Sequence, residues 1–236
     1  MEISGRVNVS AQIKDRLRDW LVHHRLLRPR FDDVLRASRG VIHVGANTGQ
    51  ERELYNQHQL NVLWVEPIDT IFKQLQDNIR PYEKQKAVQA LLMDHSGQDT
   101  VLKVANNGGA SSSIFDLGQH KEMWPEVEYC DSRVIMSTTL DILVAVHEGD
   151  TSVYDTLVLD VQGAELLVLK GGLEVIKQLN YVRLEAADFE AYQGGTMRKE
   201  VVRFLRELNF IEVSAVPFAS SEFGTYFDLI FKKLDR

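Results

Sequence analysis

From residue 40 onward, short apolar runs alternate with longer stretches in which apolar side chains recur every three or four positions. The runs at 41–44, 62–65, 88–93 and 156–161 read as strands buried on both faces, and 181–185 as a fifth. Between them, 48–57 and 70–79 read as helices, the second ended by Pro81, and another helix starts in AELLVLKGG after the fourth strand. Such alternation is the mark of βαβ units, which require a parallel sheet with helices on its faces. RKEVVRFLRELNF then predicts a helix stopping near Asn209, followed by FIEVSAVP and TYFDLIFKK, two strands with no helix between them. Two such strands pair most simply as an antiparallel hairpin. The expected fold is α/β: a doubly wound, mostly parallel seven-stranded sheet with an antiparallel hairpin at its edge.

Two segments fall outside this rhythm. Ile13, Leu17, Trp20, Leu21 and Leu26 recur at near-helical spacing over 11–27, so residues 1–39 are expected to form a helical extension ahead of a main domain at 40–236. The stretch 106–132 has no regular period and is rich in Gly, Ser and Asn; connections this long are often lids or binding loops, with disorder as the plain alternative.

Composition narrows the function. A net charge of −7, with no cluster among the 27 lysines and arginines, argues against a nucleic-acid partner. No apolar run approaches the ~20 residues needed to cross a bilayer, which argues against a membrane partner. The single cysteine, Cys130, cannot form an internal disulfide, and the first ten residues lack the apolar core of a secretion signal, so a cytoplasmic location is expected. A homo-oligomer is compatible with everything in the sequence.

The chemistry begins at VIHVGANTGQERELY, where a buried strand breaks at Gly45 and resumes as a helix after Gly49. A glycine turn between strand and helix lets a ligand approach backbone without meeting side chains. Glu66 follows the second strand, 21 positions after Gly45. An acid about 20 residues beyond such a turn is placed to accept from both ribose hydroxyls, which indicates a nucleoside ligand. A dinucleotide turn needs G-x-G-x-x-G to admit a pyrophosphate, and the run Gly45, Ala46, Asn47, Thr48, Gly49 lacks the middle glycine. S-adenosylmethionine is the expected cofactor, and NAD or a nucleotide sugar is disfavoured.

HVGANTGQE, WVEP, STTLDIL, LVLDVQGAELLVLKGG and RLEAADFEAYQGG together resemble, in order, the FkbM family of S-adenosylmethionine-dependent methyltransferases, over roughly residues 40–235. The block at 160–172 is the most specific. The resemblance implies a Rossmann-like class I methyltransferase fold, with His43, Gly45, Ala46, Asn47, Thr48, Gly49, Glu66, Pro67, Asp94 and Asp160 around the cofactor. Two positions depart from the family pattern: His43 stands where an aspartate is usual, and Gln162 where a glutamate is usual. A neutral imidazole offers one hydrogen bond but no fixed negative charge opposite an ammonium.

Transfer to a hydroxyl also requires a base. Asp160, ending the fourth strand, is the first candidate, with holding the donor's amino group as its alternative role. Glu185 is the second, with Asp188 beside it. No metal is expected, a minority alternative being a divalent cation on Asp160, Glu185 and Asp188. Asp94 is expected to accept from the adenine amino group, with His95 packing nearby. Ser111, Ser112 and Ser113 resemble the family's loop that closes over donor or acceptor, while His120, Trp124 and Tyr192 lie in segments where an acceptor docks. The expected activity is O-methylation of a hydroxyl on a small molecule or glycan. The alternative is a noncatalytic S-adenosylmethionine-binding or scaffold protein.

Overall fold

A computed structural model describes residues 27–148 and 151–234, together with Arg18 and Leu21. The helix expected over 11–27 otherwise lies outside the described residues. Arg18 pairs with Asp33 at 2.7 Å, so this part of the chain is tied to α1 (Phe31–Ala37).

The main sheet contains β1 (Gly40–Val44), β2 (Asn61–Val65), β3 (Gln85–Val88), β7 (Thr156–Leu159), β8 (Tyr181–Ala187), β9 (Phe210–Ser221) and β10 (Gly224–Lys233). Their order is β3-β2-β1-β7-β8-β10-β9, parallel except that β10 runs antiparallel to both neighbours. This is the expected doubly wound sheet with its edge hairpin. The chain travels outward from β1 to β3 and returns to continue from β7, so the strand order reverses between β1 and β7, where such sheets bind ligands.

Alternation along β1 divides its side chains between two layers. Ile42 and Val44 enter the larger apolar cluster with Leu157, Leu159, Leu169 and Val201. Val41 faces a second cluster built from Leu35, Tyr55, Trp64 and Leu75. Burial on both faces explains why β1 and β7 carry almost no polar residues. Helix α3 (Asp69–Ile79) buries Ile71, Leu75 and Ile79 at four-residue spacing, and α8 (Arg198–Glu207) buries Val201 and Leu205 in the same way. No helix among the described residues is long and apolar enough to cross a membrane.

The structure departs from expectation between β3 and β7. The run at 88–93 is not one strand: β3 ends at Val88, and Leu91–Leu92 forms a separate β4. β4 joins a second sheet, ordered β4-β6-β5, with β5 (Asp99–Ala105) and β6 (Tyr129–Thr138) antiparallel. The irregular stretch is therefore the loop of an inserted hairpin. It carries one short helix, α4 (His120–Met123), and its end belongs to β6. Helix α5 (Leu140–His147) follows, then β7.

Candidate functional site

Two cavities open beyond the carboxyl ends of the parallel strands, and they share the residues just after β7. The first, about 200 Å³, is lined by Gly45, Ala46, Asn47, Glu66, Pro67 and Asp160, among others. The second, about 290 Å³, is lined by Asp160, Gln162, Glu165, Glu185, Tyr192 and Tyr226, among others. Asp160 and Gln162, with Ala110 of the covering loop, therefore stand in the wall between them.

Glycine at position 45 is required by geometry. Its φ is +80°, and a Cβ there would lie 1.8 Å from the Asp160 carbonyl oxygen. The turn itself differs from its sequence reading. Helix α2 (Arg52–Gln57) starts well after Gly49, and the backbone N–H groups of residues 45–49 are each bonded within the protein. Gly45 and Ala46 donate to the Val65 carbonyl, Gly49 to that of Ala46, Asn47 to the Glu66 side chain and Thr48 to the Asn47 side chain. The turn offers shape rather than free donors. Thr48 and Gly49 do not line the cavity; the Thr48 carbonyl accepts from Asn78, and Gly49 backs onto Leu75.

Glu66 closes the far wall of the first cavity. Oε2 accepts from the Asn47 N–H at 2.9 Å and Oε1 from the Ile68 N–H at 3.0 Å, so the carboxyl is fixed in position with lone pairs remaining. Burial lifts its pKa to about 7, against the lowering effect of these two bonds. The cavity size, the close glycine approach and the fixed acid fit a nucleoside-bearing methyl donor.

His43 extends from β1 between Tyr55 and Trp64. Its Nδ1 is 3.0 Å from the Tyr55 hydroxyl, and its ring stacks on Trp64 at 4.8 Å. Burial holds its pKa down at about 3, so the imidazole is neutral. The aromatic neighbours account for a ring at this position, and the residue still borders the first cavity. Asp94 is not brought to either cavity: its carboxylate pairs with His95 Nδ1 at 2.6 Å on a partly exposed surface.

The second cavity gathers most of the remaining acids. Burial raises Asp160 to about 6, with repulsion from Glu51 adding to the effect and a hydrogen bond from Gln162 opposing it. Burial and repulsion from Asp160 raise Glu185 to about 8, while Arg183 opposes. Asp188 stands apart, accepting from the Thr225 N–H at 2.7 Å, so the three acids considered for a cation do not converge. Glu165, unremarked in the sequence except as part of a helix start, is only 3% exposed and lies at the head of α6 (Glu165–Lys170). Its Oε1 accepts from the Gly163 N–H at 3.1 Å, and burial raises it to about 7. The signal for it was an acid inside the otherwise apolar AELLVL.

Gln162 links the two compartments. It sits at φ +51°, donates through Nε2 to Asp160 Oδ1 and accepts through Oε1 from the Tyr192 hydroxyl, while its backbone carbonyl accepts from Ser113 at 2.7 Å. His120, Trp124 and Tyr192 do come together, joined by Tyr226 and Phe218 from the edge hairpin, which sequence spacing could not place. His120 lies tilted against Trp124 at 4.6 Å and stacks on Tyr192 at 5.0 Å; its Nδ1 is 2.8 Å from the Tyr226 hydroxyl and its Nε2 3.2 Å from Ser111 Oγ. Burial lowers its pKa to about 4. Ser112 faces the first cavity and Ser111 the second, so their loop covers both.

The strand order, the glycine turn after β1 and the acid after β2 define a Rossmann-like protein of the class I methyltransferase type. More narrowly, the chain belongs to the methyltransferase FkbM domain family, whose pattern it matches over residues 43–212. It is accordingly an S-adenosylmethionine-dependent methyltransferase. The 2-O-methyltransferase NoeI of Sinorhizobium fredii is 21% identical over 178 residues, covering 72% of each chain. Among solved structures, magnesium protoporphyrin IX methyltransferase (ChlM) from Synechocystis PCC 6803 with bound SAM is similar at 13% identity and a TM-score of 0.48, over 98% of this chain and 87% of that one. TrmK of M. capricolum, in complex with S-adenosyl-homocysteine, is similar at 6% identity and a TM-score of 0.47, over 87% and 68%.

Proposed function

We propose that the protein is an O-methyltransferase acting on a hydroxyl of a small molecule or glycan, with the donor in the first cavity and the acceptor in the second. The observation that carries this reading is that the two cavities share one wall, at Asp160 and Gln162. S-adenosylmethionine supplies an activated methyl on a leaving group of its own, so the protein contributes position and electrostatics. Glu66 holds the ribose hydroxyls, and Gly45, Ala46, Asn47 and Pro67 shape the cavity around the nucleoside. Asp160 stands beside the point of transfer and takes the acceptor's hydroxyl proton as the oxygen–carbon bond forms and the carbon–sulfur bond breaks. Of the acids Asp160, Glu165 and Glu185, it alone lines both cavities, and its pKa, raised to about 6, leaves it largely ionised near neutrality. Gln162, braced by Tyr192, orients it. The family resemblance to a 2-O-methyltransferase agrees with oxygen as the acceptor atom.

The test is turnover with methyl-labelled donor against a panel of sugars, macrolides and lipids, with products identified by mass and by the site of labelling. Label on oxygen supports the reading, and label on nitrogen or carbon refutes it. Tight binding of S-adenosylhomocysteine with no turnover on any acceptor favours the noncatalytic alternative.

A further inference from the structure

The second cavity combines aromatic walls with carboxylates withdrawn in part from solvent. Trp124, Tyr192, Tyr226 and Phe218 supply rings, with Phe218 5.7 Å from Tyr226 and Trp124 5.4 Å from it. Glu165 and Glu185 line this cavity and not the first, and no Lys or Arg among the described residues lines it. The nearest cation acting on Glu185 is Arg183, which is held by Asp228 through two bonds of 2.9 and 3.0 Å and lies under the Phe31 ring at 4.3 Å. Its charge is already matched. The Glu185 carboxylate accepts no hydrogen bond among the described residues.

We propose that this cavity selects a cationic acceptor, a hydroxylated compound bearing a protonated amine held against the aromatic rings and over Glu165 and Glu185. The proposal rests on the assignment of the second cavity to the acceptor. Carboxylates withdrawn in part from water are costly to ionise, and a guest that brings positive charge recovers that cost where a neutral one does not. Ring faces attract cations, and the attraction grows as water is excluded. An acceptor carrying phosphate, sulfate or carboxylate would face Asp160 and would hold Glu165 and Glu185 in their protonated forms. The burial that pushes Glu165 to about 7 and Glu185 to about 8 is what an ammonium would reverse, ionising both acids on binding.

The experiment is calorimetry on protein saturated with S-adenosylhomocysteine, using four methyl glycosides that differ at one position: free amine, acetamide, hydroxyl, and the uronic acid of the parent sugar. The amine is expected to bind at least about tenfold more tightly than the acetamide and the hydroxyl, with the acid weakest. The double variant Glu165→Gln, Glu185→Gln should lose that preference while staying folded, with a melting temperature no lower than the parent's, and keeping its affinity for S-adenosylhomocysteine. Equal or tighter binding of any uncharged or anionic member overturns the proposal, as does saturation by none of the four or a preference that survives in the folded variant. Preference for the amine without methyl transfer to any hydroxyl would leave the cavity assignment standing and refute O-methylation. Methyl transfer to uncharged hydroxyls with no preference for the amine does the reverse.

Discussion

Replacing Glu165 by Gln should make the protein more stable in mild alkali and leave it nearly unchanged in acid. The Glu165 carboxyl is buried, and its pKa is raised from the ordinary 4.5 to about 7, chiefly by burial. A carboxyl whose folded pKa is raised binds its proton more tightly in the native state than in the unfolded chain. Its contribution is therefore fully present below about pH 4.5 and is lost as pH rises through about 7. Moving a titration over that interval corresponds to ~3 kcal/mol. Gln keeps the shape and an oxygen for the Gly163 N–H at no charge, so it removes the pH-dependent part alone. Near pH 5 the two proteins should agree within about 1 kcal/mol, and near pH 8 the variant should be ahead by ~3 kcal/mol. For a domain of this size that is roughly 6 to 12 °C in melting temperature. Thermal unfolding of both proteins across this pH range is the assay. Parallel melting curves at all pH values, or a variant less stable near pH 8, would refute the reasoning.

Glu66→Ala removes the acceptor for the Asn47 and Ile68 N–H groups and the proposed ribose contact. Calorimetry should show S-adenosylhomocysteine binding weakened at least about tenfold; unchanged affinity in a folded variant would place Glu66 outside the donor site. Asp160→Asn should lower turnover by ~10² to 10⁴ while donor affinity falls far less. The wild-type rate should rise as pH passes about 6, because Asp160 must lose its proton to act, and that limb should vanish in the variant. Gly45→Ala forces a side chain onto a φ of +80° and into the Asp160 carbonyl, at a cost of ~3 kcal/mol or more. A variant with unaltered melting temperature and donor binding would contradict the turn geometry.

The main sheet was legible because its strands are buried on both faces, so β1, β2 and β7 appear as unbroken apolar runs. The inserted hairpin was not. In β6 only Ser137 is fully buried, and neighbouring Val134 and Met136 point to solvent, so no apolar pattern marks the strand. The 88–93 run looked continuous, yet β3 and β4 serve different sheets, a distinction made by partners distant in sequence. Glu66 could be found because its distance from Gly45 is set by one βαβ unit. Asp94 was read from its place just after the third strand, and its pairing with His95 is a local contact that no spacing reveals. His43 became intelligible only once Trp64, paired with it across β1 and β2, and Tyr55 were in view. The second cavity needed Phe218 and Tyr226 from the far end of the chain, brought there by the register of β9 and β10 on β8.

The partition between the two cavities also carries a constraint of phase. Along the loop that covers them, Ser111 faces one side, Ser112 the other, and Ser113 turns to the Gln162 carbonyl. Ala110 borders both, and the two serines after it part company, so the loop's length matters more than its spelling. Exchanging one small residue for another leaves each compartment with its own set. Deleting a single residue between Gly109 and Ser113 would move Ser111 and Ser112 out of the compartments they now border, and relatives that diverge in this loop should vary in letters while conserving its count.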